Sequence, residues 1–243
     1  MFHSIEPLFI ENPPESVSDR VAELIRMAEK IGASIHEDTK ASLAELLRVV
    51  NCYYSNRIEG HNTTLRDIQR ALDDDLDSDD KRRNLQIEAR AHIRVQQAID
   101  RLHRAGSLPD PVSPDFLRYL HEAFYEGASD AMLTLEDGSR FVPGEIRTRE
   151  VEVGRHVAPA ATTVRELLDY FSRQFASQKL GLSTRVMSLA AAHHRMLYIH
   201  PFPDGNGRVT RLMSHAMVMQ SGLGAGGLWS ISRGLARGFE NRD

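Results

Sequence analysis

The chain has 243 residues, of which 41% are hydrophobic and 26% are charged, and its formal net charge is −4 at pH 7. This length and hydrophobic content are enough to bury a core, which is typical of a globular protein. Because the net charge is small, the overall field gives no reason to expect nucleic-acid or anionic-membrane binding, and any anion binding has to be local.

The beginning of the chain, Met1–Pro7, lacks the basic start and apolar run of a secretory signal. No apolar stretch in the sequence approaches the length of a membrane span. Cys52 is the only cysteine, so an intramolecular disulfide is impossible. We therefore expect a cytoplasmic protein with no membrane partner, in which Cys52 is a small buried thiol.

Apolar residues recur at three- and four-residue steps along most of the chain, which predicts a mainly α fold. The clearest helix runs through Ile87 and Leu102, and Gly106 is expected to end it. Similar patterns predict helices at about 16–31, 39–59, 64–73, 113–127, 161–178, 183–199 and 206–221. Pro109-Asp110-Pro111 interrupts the pattern, and we place there the boundary between an N-terminal helical region, 1–109, and a second region, 110–243.

Two segments depart from the helical pattern. Six aspartates lie between Asp73 and Asp80 and are followed by Lys81-Arg82-Arg83. This run predicts a solvated loop before a new helix, with an acidic metal site as the alternative. Residues 147–153 alternate imperfectly between Gly144 and Gly154, which predicts a short strand or hairpin.

The most informative segment runs from His200 to Arg211 and reads HPFPDGNGRVTR. Pro201 and Pro203 cannot continue the preceding helix, so the chain has to turn tightly after His200. The glycines that follow allow a ligand to approach the backbone closely. The next helix begins at about Asn206, and the free amides of its first turn predict an anion site.

The side chains around this turn are chemically distinct. His200 can accept a proton near neutral pH, and the carboxylate of Asp204 suits Mg²⁺. Arg208 and Arg211 are three residues apart on one helix, so both can reach the same polyphosphate. This combination of residues predicts phosphoryl or nucleotidyl transfer.

The same twelve residues resemble, at every fixed position, the signature H-P-F-x-D-G-N-G-R-x-x-R of the Fic (filamentation induced by cAMP) family. Residues 143–154 also resemble the family's flap, and Leu228–Ser232 resembles a segment that follows its core. The likeness covers roughly residues 110–238. It implies a Fic-type helical bundle with a short β-hairpin flap. It also implies a protein adenylyltransferase that binds ATP with Mg²⁺ and moves AMP to a Ser, Thr or Tyr hydroxyl of a target protein.

The resemblance also implies roles for individual residues. His200 would deprotonate the target hydroxyl, and Asp204 would hold the Mg²⁺. The residues implied to bind the nucleotide are Gly205, Asn206, Gly207, Arg208 and Arg211. The flap residues implied to bind the target are Thr148, Arg149, Glu150 and Val151. Phe202 is expected to be a core anchor.

A second, shorter pattern lies upstream. Residues 55–60, SNRIEG, are similar to the inhibitory motif (S/T)-x-x-x-E-(G/N) of regulated Fic proteins. Ser55 and Glu59 would lie one turn apart on the same helix face, and Gly60 is suited to end that helix. The resemblance implies that Glu59 pairs with Arg211 and prevents ATP from placing its γ-phosphate productively.

Several alternatives remain. The same site could remove AMP by hydrolysis, with Glu59 orienting a water molecule, or the chain could be a nucleotide-sensing regulatory module. Homodimer formation also stays open. His193 and His194 could suggest zinc together with His200, but their spacing is not that of a zinc-binding helix motif, so we expect packing residues. The glycine-rich segment 222–227 follows a predicted helix, so we expect a helix stop and linker instead of a dinucleotide loop.

Nucleic-acid binding is not expected from the flap region. Its three arginines could form a basic patch, but three glutamates interleave with them, at positions 145, 150 and 152.

Overall fold

A computed structural model describes residue 5 and residues 12–176, 181–223 and 225–240. Within these residues the protein is mainly helical. The helices are α1 Glu15–Ser34, α2 Glu37–Ile58, α3 Leu65–Leu72, α4 Asp80–Arg104, α5 Pro114–Tyr125, α6 Val164–Phe175, α7 Leu182–Ile199, α8 Asn206–Gln220 and α9 Ile231–Glu240. Short 3-10 helices form at Asp130–Leu133 and Ala161–Thr163. The predicted fold class is confirmed.

The predicted helix bounds agree with the structure to within a few residues. Gly106 follows the end of α4 with φ +66°, a conformation that favours glycine and stops the helix. The helix predicted from 161 to 178 begins as a 3-10 turn and continues as α6 from Val164. Residues 177 and 178 lie outside the described part of the chain.

The predicted strand at 147–153 is shifted in the structure. The two strands are β1, Glu152–Val153, and β2, His156–Val157, which pair antiparallel around a turn at Gly154. Gly154 has φ +61°, so it forms the hairpin turn instead of ending the strand. The segment from Thr148 to Val151 leads into the hairpin and is not part of a strand.

The helix α9 was not predicted from the sequence. It contains Gly234 and Gly238, which are unfavourable inside helices. It packs against α2 and α8, and Ala236 is buried. Tertiary packing therefore stabilises a helix whose local sequence does not indicate it.

The main core lies between α4, α5, α6, α7 and α8. Helix α8 is its centre, since every residue from Val209 to Met219 is buried. Phe202, just before α8, is fully buried, as expected of a core anchor. The signature therefore belongs to the most constrained part of the fold.

The helix α2 lies outside this core and packs against α3, α4 and α9. Arg48 of α2 donates to Asp100 of α4 over 2.8 Å, and Asp100 also pairs with His215 of α8 over 2.7 Å. All three side chains are buried. Near the middle of α2, Asn51 donates to the carbonyl of Trp229. These contacts fix the position of α2, and with it the position of its C-terminal residues.

The aspartate-rich segment forms a loop between α3 and α4 whose carboxylates pair with arginines. Asp75 binds Arg70 over 2.7 Å, and Asp74 binds Arg90 of α4. No group of three or more metal-binding side chains occurs among the residues that can be described. Along those same residues, no helix combines the length and the apolar character that a bilayer crossing needs.

Candidate active site

A tight turn between α7 and α8 positions the candidate site. His200 ends α7 in the left-handed conformation, with φ 49° and ψ 62°. The side chain of Asn206 closes the turn, because it accepts from the Phe202 amide over 2.9 Å and donates to the Phe202 carbonyl over 2.8 Å. The side chain of Asn206 therefore holds the loop, which leaves only its backbone for the predicted anion site.

The geometry of His200 is that of a neutral base. Its Nδ1 lies 3.3 Å from the Leu197 carbonyl, which can only accept, so Nδ1 carries the proton and Nε2 has the free lone pair. Burial lowers the pKa of His200, and the charge of Arg147 lowers it further. The Leu197 hydrogen bond raises the pKa but does not outweigh these two effects. The imidazole is therefore deprotonated at neutral pH.

The first turn of α8 presents its backbone amides beside this histidine. Gly205 is the N-cap with φ +72° and has no side chain to bind those amides, which are therefore open to an anion. A Cβ at Gly205 would lie 2.9 Å from the Tyr125 hydroxyl, and one at Gly207 would lie 2.5 Å from Glu59 Oε1. Close contacts therefore favour glycine at both positions, and the positive φ favours it at Gly205 as well.

Asp204 is oriented by two donors. The Tyr125 hydroxyl donates to its Oδ2 over 2.7 Å, and Arg208 Nη2 donates to the same oxygen over 3.1 Å. Burial raises the pKa of Asp204, but Arg208 and the Tyr125 hydrogen bond outweigh it and lower the pKa. The side chain keeps 46% of its surface exposed. The site therefore holds an ionised carboxylate that is fixed through one oxygen and still open to solvent.

Arg208 is buried beneath this carboxylate. Its Nη1 forms an ion pair with Glu88 of α4 at 2.8 Å, and its guanidinium lies 5.1 Å from the centre of the Phe124 ring. The pKa of Arg208 is raised, because the neighbouring Tyr125, Glu88 and Asp204 outweigh its burial. Glu88 in turn lies 3.6 Å from His61, which follows α2. Tyr125 and Glu88 belong to no local sequence pattern, so neither could be predicted as part of the site.

Arg211 contacts the predicted inhibitory segment directly. Its Nε donates to Ser55 Oγ over 2.8 Å, and its Nη2 donates to Glu59 Oε1. Arg211 is 6% exposed, and Gly60 follows the helix with φ +78°. The structure thus brings together two patterns that are about 150 residues apart in the chain.

A buried histidine connects the flap region to the loop that carries Asp204. The Gly144 amide donates to His121 Nδ1 over 2.7 Å, so the proton is on Nε2, which donates to the Asp204 carbonyl over 3.2 Å. Burial lowers the pKa of His121 to about 4. Its ring stacks on Phe202 at 4.2 Å. No sequence pattern pointed to His121.

The four residues predicted to bind the target, at positions 148–151, lie between the site and the hairpin. Thr148, Arg149 and Glu150 are exposed. Arg149 binds Asp137 over 2.5 Å, Glu150 accepts from the Ala161 amide, and the carbonyl of Val151 accepts from Ala158. These contacts anchor the segment to its neighbours and leave its outer face accessible.

His193, His194 and the described part of the glycine-rich segment do not join the site. His193 lies 2.9 Å from Ser214 Oγ, and burial lowers its pKa to about 4, so it is a packing residue. His194 contacts Arg195. Gly222 follows α8 with φ +75°, which fits a helix stop, while Gly224 in the same glycine-rich segment lies outside the described residues.

Comparison with known proteins identifies the central part of the chain. Residues 111–218 match the model of the Fic/DOC family. A 79-residue stretch is 38% identical to "Protein adenylyltransferase Fic" of Aedes aegypti and 37% identical to the protein of the same name from Drosophila melanogaster. In both cases the match covers 32% of this chain and 16% of the relative. The chain therefore matches about a sixth of the length of these curated relatives.

Solved structures of related fold cover more of the chain. A Fic family protein from Desulfovibrio desulfuricans G20 aligns with a TM-score of 0.69 and 18% identity, over 96% of this chain and 65% of that one. Fic-1 from C. elegans aligns with a TM-score of 0.65 and 19% identity, over 86% of this chain and 60% of that one. At this identity, the likeness shows that the fold is shared.

Proposed function

We propose that this chain, which contains a Fic/DOC-family domain, is a protein adenylyltransferase that moves AMP from ATP to a hydroxyl group of a target protein. The observation that supports the proposal is that one tight turn carries His200 and Asp204 and leads into the first turn of α8, whose amides have no side-chain cap. The name of the insect relatives supports the same reaction. A base, an oriented carboxylate and amide donors are what nucleotidyl transfer needs.

The chemistry follows from these positions. The target hydroxyl loses its proton to His200 Nε2, which has the free lone pair. The hydroxyl oxygen forms a bond to the α-phosphorus, and the bond to the bridging oxygen of pyrophosphate breaks. AMP is left on the target, and pyrophosphate takes the leaving electron pair. The amides at the start of α8 and the guanidinium groups stabilise the phosphate charge.

The residues present fit a Mg²⁺ ion that arrives with the nucleotide. Mg²⁺ commonly uses one or two carboxylates together with substrate phosphates and water. Asp204 provides one ionised carboxylate, held by Tyr125 and partly open to solvent. When bound, the ion would neutralise phosphate charge and orient the leaving group.

Asp204→Ala is expected to remove most of the thermal stabilisation that Mg·ATP gives the protein, because it deletes the metal-binding carboxylate. Tyr125→Phe should weaken this stabilisation less, since it removes one hydrogen bond that orients Asp204. Thermal unfolding with Mg·ATP, ATP plus EDTA, or no ligand measures both effects. Asp169→Ala, on the exposed side of α6, is the matched control. Full stabilisation of the Asp204 variant would contradict the assignment.

We also propose that Glu59 inhibits transfer. Its carboxylate binds the guanidinium of Arg211, which the γ-phosphate would otherwise bind. With Arg211 occupied, ATP binds with its α-phosphate out of line for attack. Ser55 strengthens this arrangement by accepting from the Nε of the same arginine.

Removal of AMP from a modified target by hydrolysis is a second candidate function, and one observation favours it. The carboxylate of Glu59 lies beside Gly207 in the first turn of α8 and is 31% exposed, so it can hold a water molecule near a bound phosphate. In that case a pre-modified target would lose AMP, and Glu59→Gln would stop the loss. In the transferase, the loss of Glu59 should instead raise modification.

Labelled ATP separates these functions. Wild-type and Glu59→Gly protein are incubated with a lysate and with ATP labelled at either the α- or the γ-phosphate. Label on protein from α-labelled but not γ-labelled ATP identifies nucleotidyl transfer. Transfer of γ-label would indicate a kinase instead, and the absence of both labels together with loss of AMP from a modified target would favour the hydrolase.

The flap is proposed to bind an extended segment of the target by adding a strand beside residues 148–151. Val151→Pro should therefore reduce target modification more than self-modification or Mg·ATP binding, because proline removes a backbone donor. Val151→Ala, which keeps that donor, is the control. Label on target and on enzyme measures the two modifications, and thermal stabilisation measures Mg·ATP binding. An equal loss of both modifications and of binding in the proline variant would count against strand addition.

A further inference from the structure

Arg147 is a buried arginine outside the signature. It lies in the segment that leads from α5 to the hairpin, and only 3% of its surface is exposed. A buried guanidinium is costly unless its donors are satisfied. The partners of Arg147 therefore indicate why it is there.

All of these partners are backbone carbonyls around the site. Nε donates to His200 over 2.7 Å, and Nη2 donates to Pro159 over 2.5 Å and to Ile199 over 3.4 Å. Nη1 donates to Arg149 over 2.8 Å. The backbone amide of Arg147 donates to Pro201 over 2.9 Å. One residue thus joins the end of α7 to both ends of the segment that carries the hairpin.

These hydrogen bonds stabilise the end of α7, where two features of the backbone are unfavourable. The last carbonyls of a helix lack partners within it, and a cation near them is favourable. His200 also adopts a left-handed conformation, which is unfavourable for a residue other than glycine. Glycine would avoid this cost but has no imidazole. The guanidinium of Arg147 offsets it by binding the carbonyls of Ile199 and His200.

We infer that Arg147 is a positioning residue that holds His200 and the flap in one fixed relation, so that the base and the bound target segment reach the α-phosphate together. The inference rests on the proposed function for its catalytic consequence. The orientation of His200 and of the flap can be tested without measuring AMP transfer.

The charge of Arg147 provides a second, independent readout. The charged and titratable groups that act on His200 are Arg147, His156 and Asp204. Arg147 lowers the pKa of His200, so its removal should raise that pKa. The acidic limb of the pH–rate profile should then move to higher pH, because His200 would stay protonated further up the scale.

Two variants separate charge from hydrogen bonding. Arg147→Gln removes the charge and most donors, whereas Arg147→Lys keeps the charge but replaces a planar group with five donors by an ammonium with three. The control is Arg140→Gln, whose side chain pairs with Asp130 on the surface. Transfer is measured in the Glu59→Gly background, and the His200 ring is titrated by NMR in the otherwise wild-type protein.

The expected results differ between the variants. Arg147→Gln should lower kcat by about 10²-fold, as a small misplacement of reacting groups does, while the KM for ATP changes little. It should also raise the pKa of His200 and speed hydrogen exchange in residues 148–158. Arg147→Lys should lower kcat too but leave the His200 titration near that of the parent. Arg140→Gln should change none of these.

The inference is overturned if Arg147→Gln folds, keeps kcat within a few-fold and leaves the His200 titration in place. It is also overturned if both variants lose kcat, ATP binding and stability in equal measure, because that is a structural role only. If Arg147→Gln does not fold, the test uses Arg147→Lys instead, and its kcat and the hydrogen exchange of residues 148–158 are measured. If the Glu59→Gly parent transfers no AMP, the proposed function fails, and the NMR titration and exchange still decide the positioning role.

Discussion

Replacing His200 with alanine should lower AMP transfer by about 10²–10⁴-fold, the usual loss when a general base is removed. The imidazole has its free lone pair at Nε2, and burial lowers its pKa, which favours the basic form. Binding of Mg·ATP should stay nearly unchanged, because the base acts on the incoming hydroxyl. Transfer from α-labelled ATP and thermal stabilisation by Mg·ATP measure the two quantities.

The matched control for this variant is His194→Ala, which removes an exposed imidazole from the same helix, α7. It should transfer AMP at the parent rate. Both variants are best made in the Glu59→Gly background, where the parent rate is high enough to measure a large loss. A His200 variant that transfers within a few-fold of its parent would defeat the assignment of the base.

Replacing Glu59 with glycine should raise modification of target or enzyme by about 10²-fold, since a misplacement of about 1 Å can cost that much in rate. The variant removes the carboxylate that binds Arg211 beside Gly207. The freed guanidinium can then bind the γ-phosphate and bring the α-phosphate into line. Label from α-labelled ATP on target and enzyme is the measurement.

Two further variants make this result specific. Glu59→Gly combined with His200→Ala should return transfer to background, because release of inhibition cannot replace the base. Asp73→Gly removes an acidic residue from the end of α3, where it binds Gln69 and lies in the same C-cap position as Glu59 in α2. It should leave transfer unchanged. A Glu59→Gly protein that folds, binds ATP and gains no activity would refute the inhibitory role.

The turn between His200 and α8 could be predicted because its information is local. Pro201 and Pro203 end one helix, and Gly205 starts the next, so the sequence itself determines the geometry. The partners that orient the site could not be predicted in this way. Tyr125 and Glu88 reach it from α5 and α4, and their contribution depends on how the helices pack.

The secondary structure shows the same difference between what local sequence determines and what tertiary packing determines. The ends of α4 and α2 followed from glycines at positions that favour positive φ. The hairpin was placed too early because imperfect alternation around Arg149 looked like a strand, although that segment is held by single contacts to its neighbours. The helix α9 was missed because its stability comes from packing against α2, which local propensity does not reveal.

The anchoring of α2 determines how inhibition can be released. Removing one partner of a buried ion pair typically costs about 3–5 kcal/mol, so the population in which Arg48 and Asp100 are separated should be small. Glu59 differs, because it lies just beyond the end of α2 beside Gly60 with 31% of its side chain exposed, and the γ-phosphate would replace it as the partner of the buried Arg211. Activation should therefore proceed by local release of Glu59, while α2, including the buried Ser55, stays docked. The basal rate of transfer then reports the equilibrium for release of Glu59, and mutations that stabilise the global fold should leave the basal rate unchanged.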